Sequence, residues 1–141
     1  EQWGNRLGGV PLAFVHKTRD LTRPNQATAN RVVGDVSGRT AVIVDDLIDT
    51  AGTICGAVRI VLEAGAKDVI VAATHGVLSD PATQRLRESG LRELVVTDTL
   101  PIGPEKRFPA MTVLPIAPVL ARAIDEVFED GSVTSLFDGA Y

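Results

Sequence analysis

Ala41-Val42-Ile43-Val44-Asp45-Asp46-Leu47-Ile48-Asp49-Thr50-Ala51-Gly52-Thr53 is the stretch on which the reading of this chain turns. The β-branched run over residues 40–44 has the composition of a central parallel strand. It ends in two carboxylates, Asp45 and Asp46; a third, Asp49, follows, and then a small, hydroxyl-rich turn. Past the turn, Ile54, Ala57, Val58, Val61 and Leu62 recur at helical spacing, and Gly65 supplies the stop. Strand, acidic turn and helix start together make a receptor for a phosphorylated sugar. Small residues let backbone N–H groups wrap a phosphate, and the helix start adds unpaired donors and a favourable dipole. Asp45 and Asp46 cannot serve that phosphate, because like charges repel. They suit sugar hydroxyls or a hydrated divalent cation, which takes oxygen ligands.

Outward from this stretch the chain alternates strands with helices. Short strands are predicted over residues 11–15 and 28–36, with a polar, basic loop between them that spans residues 16–27 and contains Pro24. Further strands fall at residues 69–73, 93–97 and 111–114. Asp80-Pro81 reads as a helix N-cap followed by proline at the first helical position, and Gly90 closes that helix. The last helix spans residues 118–128, with Leu120, Ala121, Ile124, Val127 and Phe128 on its inner side, and residues 131–137 read as a short extended tail. This alternation predicts an α/β domain with a mainly parallel sheet flanked by helices and joined by right-handed crossovers. Ligands of such sheets bind at the carboxyl ends of the strands, the position of the acidic turn. No G-x-G-x-x-G follows a strand and no Walker A sequence occurs, so a dinucleotide site of the usual kind is disfavoured.

The 141 residues form one domain of ordinary size; 45% are hydrophobic and 23% charged, which is globular composition. A formal net charge of -4 argues against a general nucleic-acid binder. No apolar run reaches the roughly 18 residues that span a bilayer and no signal peptide opens the chain, so a cytoplasmic, non-membrane protein is expected. Cys55 is the only cysteine and reads as a packing residue on its helix. The chain opens at Glu1 and its only methionine is Met111, so it is expected to be a piece of a longer protein, with Gly8-Gly9 stopping a helix cut from upstream.

The quoted stretch resembles the phosphoribosyl pyrophosphate signature of the type I phosphoribosyltransferase superfamily: two acidic residues, a spacer, then Thr-Gly/Ala-Gly-Thr. Within it the resemblance is closest to the ribose-phosphate pyrophosphokinase family. It extends to His16-Lys17-Thr18-Arg19 with Arg23-Pro24-Asn25, to Val33-Gly34-Asp35-Val36, to Ala73-Thr74-His75-Gly76, to Thr97-Asp98-Thr99-Leu100-Pro101, and to Ser132-Val133-Thr134-Ser135-Leu136-Phe137. These segments follow the order of that family's C-terminal half, so the resemblance implies a single domain over residues 1–141 whose N-terminal companion is absent.

The resemblance implies diphosphoryl transfer from ATP to the anomeric hydroxyl of ribose 5-phosphate, with Mg2+ neutralising the phosphates. Asp45 and Asp46 match the residues that hold the ribose hydroxyls, and Asp49, Thr50, Ala51, Gly52 and Thr53 those that surround the 5-phosphate. Ala51 stands where many relatives carry glycine, and its methyl is expected to be tolerated if φ is ordinary. Lys17 and Arg19 match the catalytic pair of a flexible basic loop, in which Arg23 is a weaker match. Such cations can close over the triphosphate and meet its spreading charge. Ser132, Thr134 and Phe137 resemble a segment that takes regulatory phosphate or ADP between subunits of a homo-oligomer, commonly a hexamer. In the family the adenine site comes from the N-terminal half and a neighbouring subunit, so the chain alone is expected to bind ribose 5-phosphate or phosphate yet show almost no synthesis.

Outside the resemblance, no residue pairs with His75 at metal-ligand spacing, and it reads as a structural or subunit-contact histidine. No metal site is assigned within the chain. Ser79 and Asp80 read as helix caps, and Asp98-Thr99 as either a pocket wall or a packed turn. Two rival functions share the acidic turn: a phosphoribosyltransferase that consumes phosphoribosyl pyrophosphate, and a non-catalytic regulatory homologue.

Overall fold

The computed structural model describes residues 2–17 and 30–137. After a short helix α1 (Gln2–Arg6), strands β1 (Phe14–Lys17) and β2 (Asn30–Val33) form an antiparallel pair, with Phe14 opposite Val33 and Val15 opposite Val32. The main sheet has four strands, β3 (Thr40–Ile48), β4 (Asp68–Gly76), β5 (Glu93–Thr97) and β6 (Met111–Leu114). They lie side by side in chain order and every pairing is parallel. Helix α2 (Gly52–Glu63) joins β3 to β4, and α3 (Ala82–Glu88) joins β4 to β5. A single 3-10 turn (Pro104–Lys106) lies between β5 and β6, and helix α4 (Ala117–Phe128) leads to a second 3-10 turn (Val133–Phe137). The expected α/β fold with a parallel sheet is the fold observed.

Because a strand alternates its side chains, each strand has one core face and one outer face. Val69, Val71 and Ala73 of β4, with Leu94 and Val96 of β5, pack beneath Ile54, Val58 and Val61 of α2 and Ala82 and Leu86 of α3. Sealing a valine or leucine this way contributes about 1.5–3 kcal/mol each. Among the described residues the core contains no polar or charged side chain. The opposite face is open: Val42 and Val44 are 44% and 37% exposed. Helices α2 and α3 share one face because consecutive right-handed crossovers to the next strand in line deliver every helix to the same side.

Several predicted boundaries move. The strand expected to end at Val44 runs to Ile48, through both aspartates. Asp disfavours strands, but β4 offers a parallel partner in constant register as far as Ile48 opposite Gly76, skipping only Asp46, and that ladder overrides local preference. β1 lies later than predicted, β2 ends earlier, at Val33, and β4 runs on to Gly76; residues 28 and 29 of the predicted second strand lie outside the described residues. At α3 the residue before the first turn is Pro81, with no side-chain cap bond. Asp80 and Ser79 therefore do not cap through their side chains; Ser79 contributes its carbonyl, which accepts from the Ala82 N–H at 2.8 Å. Gly65 (φ 91°) and Gly90 (φ 80°) close α2 and α3 as expected. The tail is a 3-10 turn, not an extended segment, with the Ser135 N–H donating to the Ser132 carbonyl at 2.9 Å.

The apolar stripe of α4 does not face the sheet core. Leu120, Ile124, Val127 and Phe128 line a shallow groove of about 400 Å³ with Ala123 and Val133, and Phe128 is 85% exposed.

The two faces of the sheet predict different mutational costs. Leu94→Ala should destabilise this chain by about 2–5 kcal/mol through transfer and cavity terms. Val42→Ala should cost less than about 1 kcal/mol, as surface changes do. Urea denaturation of both variants checks this; equal losses would mean that the outer face is packed as tightly as the inner.

Candidate functional site

β3 carries the acidic pair to the carboxyl edge of the sheet. Asp45 pairs with Ala73 of β4, and Asp46 follows it directly on the strand. Both are exposed, and the Asp46 N–H donates to Asp45 Oδ1 at 3.0 Å. β3 then stops hard. The Ile48 carbonyl accepts N–H bonds from Val77 (3.0 Å) and Leu78 (3.1 Å), and Ile48 itself is buried.

The turn that follows brings together the five residues expected around a phosphate. Asp49 and Thr50 are exposed, and Ala51 is buried with φ 60° and ψ 6°. The condition of an ordinary φ, on which easy tolerance of the methyl was expected, is thus not met. The left-handed region costs a non-glycine residue roughly 1–2 kcal/mol, which explains why glycine suits this position. The helical ladder of α2 begins with the Cys55 N–H, which donates to the Ala51 carbonyl at 3.0 Å. The N–H groups of Gly52, Thr53 and Ile54 thus stand ahead of the ladder, and no side chain caps them. A left-handed residue followed by helical ones makes a concave nest of donors, which holds anions.

Two further features surround the turn. Arg85 of α3 donates from Nη1 to the Thr50 carbonyl at 3.0 Å. It also lines a groove of about 580 Å³ along the flank of α2 with Cys55, Arg59, Glu88 and Ser89. Nothing in the sequence distinguishes Arg85 from a solvated helix arginine, and the sequence reading missed it. On the other side, β4 bulges between Ala73 and His75. There the Thr97 hydroxyl donates to the Thr74 carbonyl at 2.7 Å, and Thr99 Oγ1 lies 2.8 Å from His75 Nδ1. His75 is therefore held by a hydroxyl network, the structural role expected of it. Asp98, exposed, accepts the Ile116 N–H at 2.7 Å just ahead of α4.

Cys55 is half-buried. Burial pushes its thiol above the ordinary cysteine value, opposed in part by the Arg85 cation and a hydrogen bond with Ser89. Among the described residues, no three His, Cys, Asp or Glu side chains converge as metal ligands. Arg19 and Arg23, and the side chains of Lys17 and Phe137, lie outside the described residues. Ser132 and Thr134 are exposed in the C-terminal turn, where their hydroxyls hydrogen-bond each other.

Known proteins match this chain over most of its length. The model of the phosphoribosyl synthetase-associated domain matches residues 14–138. A ribose-phosphate pyrophosphokinase of Mycobacterium leprae (strain TN) is 66% identical over 139 residues, 99% of this chain and 42% of the relative. Another, from Bifidobacterium longum (strain NCC 2705), is 69% identical over 138 residues, 98% of this chain and 41% of the relative. Among solved structures, the crystal structure of phosphoribosylpyrophosphate synthetase from Mycobacterium smegmatis superposes with a TM-score of 0.83 at 62% identity. That match covers 92% of this chain and 41% of the other. The chain thus spans about two fifths of the length of the relatives it matches.

The raised Cys55 pKa has a readable consequence. Because the folded state favours the neutral thiol, its contribution to stability is complete below the pKa of an unfolded thiol and is lost as pH rises beyond it. Alkylation needs the thiolate. The rate of Cys55 alkylation by iodoacetamide should therefore climb at higher pH than that of a free cysteine. Arg85→Met, which removes the opposing cation, should move the profile higher still; a profile matching free cysteine would show that burial does not govern this thiol.

Proposed function

The chain belongs to the phosphoribosyl synthetase-associated domain family, and we propose that it supplies the ribose 5-phosphate site of a ribose-phosphate pyrophosphokinase. The observation that carries this reading is the unit of β3, a left-handed Ala51 and the uncapped start of α2. It sets carboxylates within a few residues of a nest of N–H donors. A ligand with hydroxyls at one end and a phosphate at the other satisfies both.

In the reaction so assigned, the anomeric oxygen of ribose 5-phosphate attacks the β-phosphorus of ATP. The bond from that phosphorus to the α–β bridging oxygen breaks, AMP leaves, and the anomeric proton passes to solvent or a nearby base. Asp45 and Asp46 accept hydrogen bonds from the ribose hydroxyls. Asp49, Thr50, Ala51, Gly52 and Thr53 surround the 5-phosphate through backbone N–H groups and the two threonine hydroxyls. Held at its phosphate end, the sugar keeps its anomeric oxygen in one place, and orientation of this kind accounts for much of the rate. Lys17 and Arg19 meet the charge that spreads over the transferred group.

Mg2+ enters this proposal as a hard cation with oxygen ligands that neutralises the triphosphate. Among the described residues no three His, Cys, Asp or Glu side chains converge to hold it, and no step is assigned to the ion. The order of the motifs supports placing the chain in the C-terminal half of the enzyme, with the ATP-holding groups elsewhere, so the 141 residues alone should bind the sugar phosphate without appreciable synthesis. Ser132, Thr134 and Phe137 are assigned to an effector site for phosphate or ADP in a homo-oligomer, a hexamer by family resemblance. A cytoplasmic enzyme is in keeping with this role, and among the described residues no helix is long and apolar enough to cross a membrane.

Incubating the intact protein with ribose 5-phosphate and Mg-ATP tests the reading. AMP release with phosphoribosyl pyrophosphate formation is expected; a protein that only consumes phosphoribosyl pyrophosphate, or only binds nucleotide, would refute it.

Substitutions separate the roles. Asp45→Asn and Asp46→Asn should each raise the KM for ribose 5-phosphate, because an amide offers fewer acceptors to the sugar hydroxyls. Lys17→Ala and Arg19→Ala should instead lower kcat, by about 10²–10³ for the loss of one transition-state contact. A pure KM effect in the second pair would reduce them to substrate-binding groups.

A further inference from the structure

We propose that Arg85 is a positioning residue for the phosphate turn: by holding the Thr50 carbonyl it fixes the plane of the Thr50–Ala51 peptide and aims the Ala51 N–H at the anion. The inference rests on the assignment of the turn over residues 49–53 to the sugar phosphate. Arg85 sits on α3 between Ala82 and Leu86, both buried, so its backbone is anchored in the core. From there Nη1 reaches the Thr50 carbonyl at 3.0 Å, a bond between residues 35 apart in sequence.

A peptide unit is planar, and in its trans form the C=O and N–H point in opposite directions. The Thr50–Ala51 bond is trans, since among the described residues the only cis bond is Asp80-Pro81. A carbonyl drawn toward α3 therefore turns the Ala51 N–H away from α3. Released, the same carbonyl could swing outward and present the negative end of its dipole to a phosphate.

The backbone at Ala51 gives the clamp something to hold. Its φ of 60° is a conformation that an alanine peptide does not favour by itself, and such a conformer persists only where its surroundings over-determine it. Below the turn stands the buried Ala51 methyl; beside it stands Arg85. Two observations locate the guanidinium beside the first turn of α2. It lines the groove with Cys55 and Glu88, and a Cβ built on Gly52 would come to 3.5 Å from Nη1. From there it holds the Thr50 carbonyl and so orients the donors of the turn.

Arg85→Met in the intact protein tests this, since methionine keeps an unbranched stem and removes the donors. Binding of ribose 5-phosphate by calorimetry and the KM of each substrate are the readouts. Losing a charge-assisted hydrogen bond should raise the Kd and KM for ribose 5-phosphate about tenfold to a hundredfold. The KM for the nucleotide should stay unchanged. Ala51→Gly placed on top of Arg85→Met should restore much of the loss, because glycine adopts positive φ without help. Arg85→Lys keeps one donor and gives the same comparison at smaller amplitude if the methionine variant does not fold. A wild-type protein that binds no ribose 5-phosphate would remove the assignment of the turn itself, and the inference with it. If the wild type binds, the clamp alone is overturned by either of two results: undiminished affinity in Arg85→Met, or no recovery in the double variant, which would make Arg85 a direct phosphate ligand.

Discussion

The parallel register between β3 and β4, from Thr40 opposite Asp68 to Ile48 opposite Gly76, determines where every other part of the site stands. It draws two aspartates into a strand that their own preferences would have ended earlier. It also finishes abruptly, because the Ile48 carbonyl is taken up by the N–H groups of Val77 and Leu78. With β3 closed at that point and α2 starting at Gly52, only three residues connect them. So short a turn leaves little freedom, and a left-handed Ala51 is part of how the chain makes the corner.

Opposite electrostatic demands are met within nine residues of one another. The carboxylates of Asp45 and Asp46 stay on the strand, in solvent. The N–H donors collect downstream, where the dipole of α2 favours an anion. In the proposed site each end of a sugar phosphate would find its complement without the two ends of the site opposing each other. The parts that stiffen this arrangement come from remote elements: Arg85 from α3 on one side, and the hydroxyls of Thr97 and Thr99 around His75 at the bulge on the other. A bulge at the carboxyl edge of a sheet re-aims the chain beside a site, which fits its position here.

The core is one-sided. Consecutive strands joined by right-handed crossovers place α2 and α3 on the same face, and that face alone is sealed. Val42 and Val44 on the outer face of the sheet, and Leu120, Ile124, Val127 and Phe128 of the α4 stripe, stay exposed. The 3.6-residue period of α4 is plain in Leu120, Ile124, Val127 and Phe128, yet periodicity says only that a helix has an apolar side. It does not say which surface that side meets.

What the sequence by itself determined is the set of features written in short-range chemistry. The β-branched runs, the glycine stops after α2 and α3, and the acidic, then small, then hydroxyl-bearing residues of 45–53 announce a parallel α/β domain and a phosphate turn. Family resemblance ties that turn to a particular sugar phosphate. The tertiary structure alone decided the extension of β3 through Asp45 and Asp46, the positive φ of Ala51 and the reach of Arg85 to Thr50. Each of these depends on a partner distant in sequence: β4 supplies the ladder, the closed end of β3 constrains the turn, and buried Leu86 seats α3 where its arginine meets the turn. Local propensity carries fractions of a kcal/mol to about 1 kcal/mol per residue, and a ladder or a packed core outweighs it wherever the two disagree.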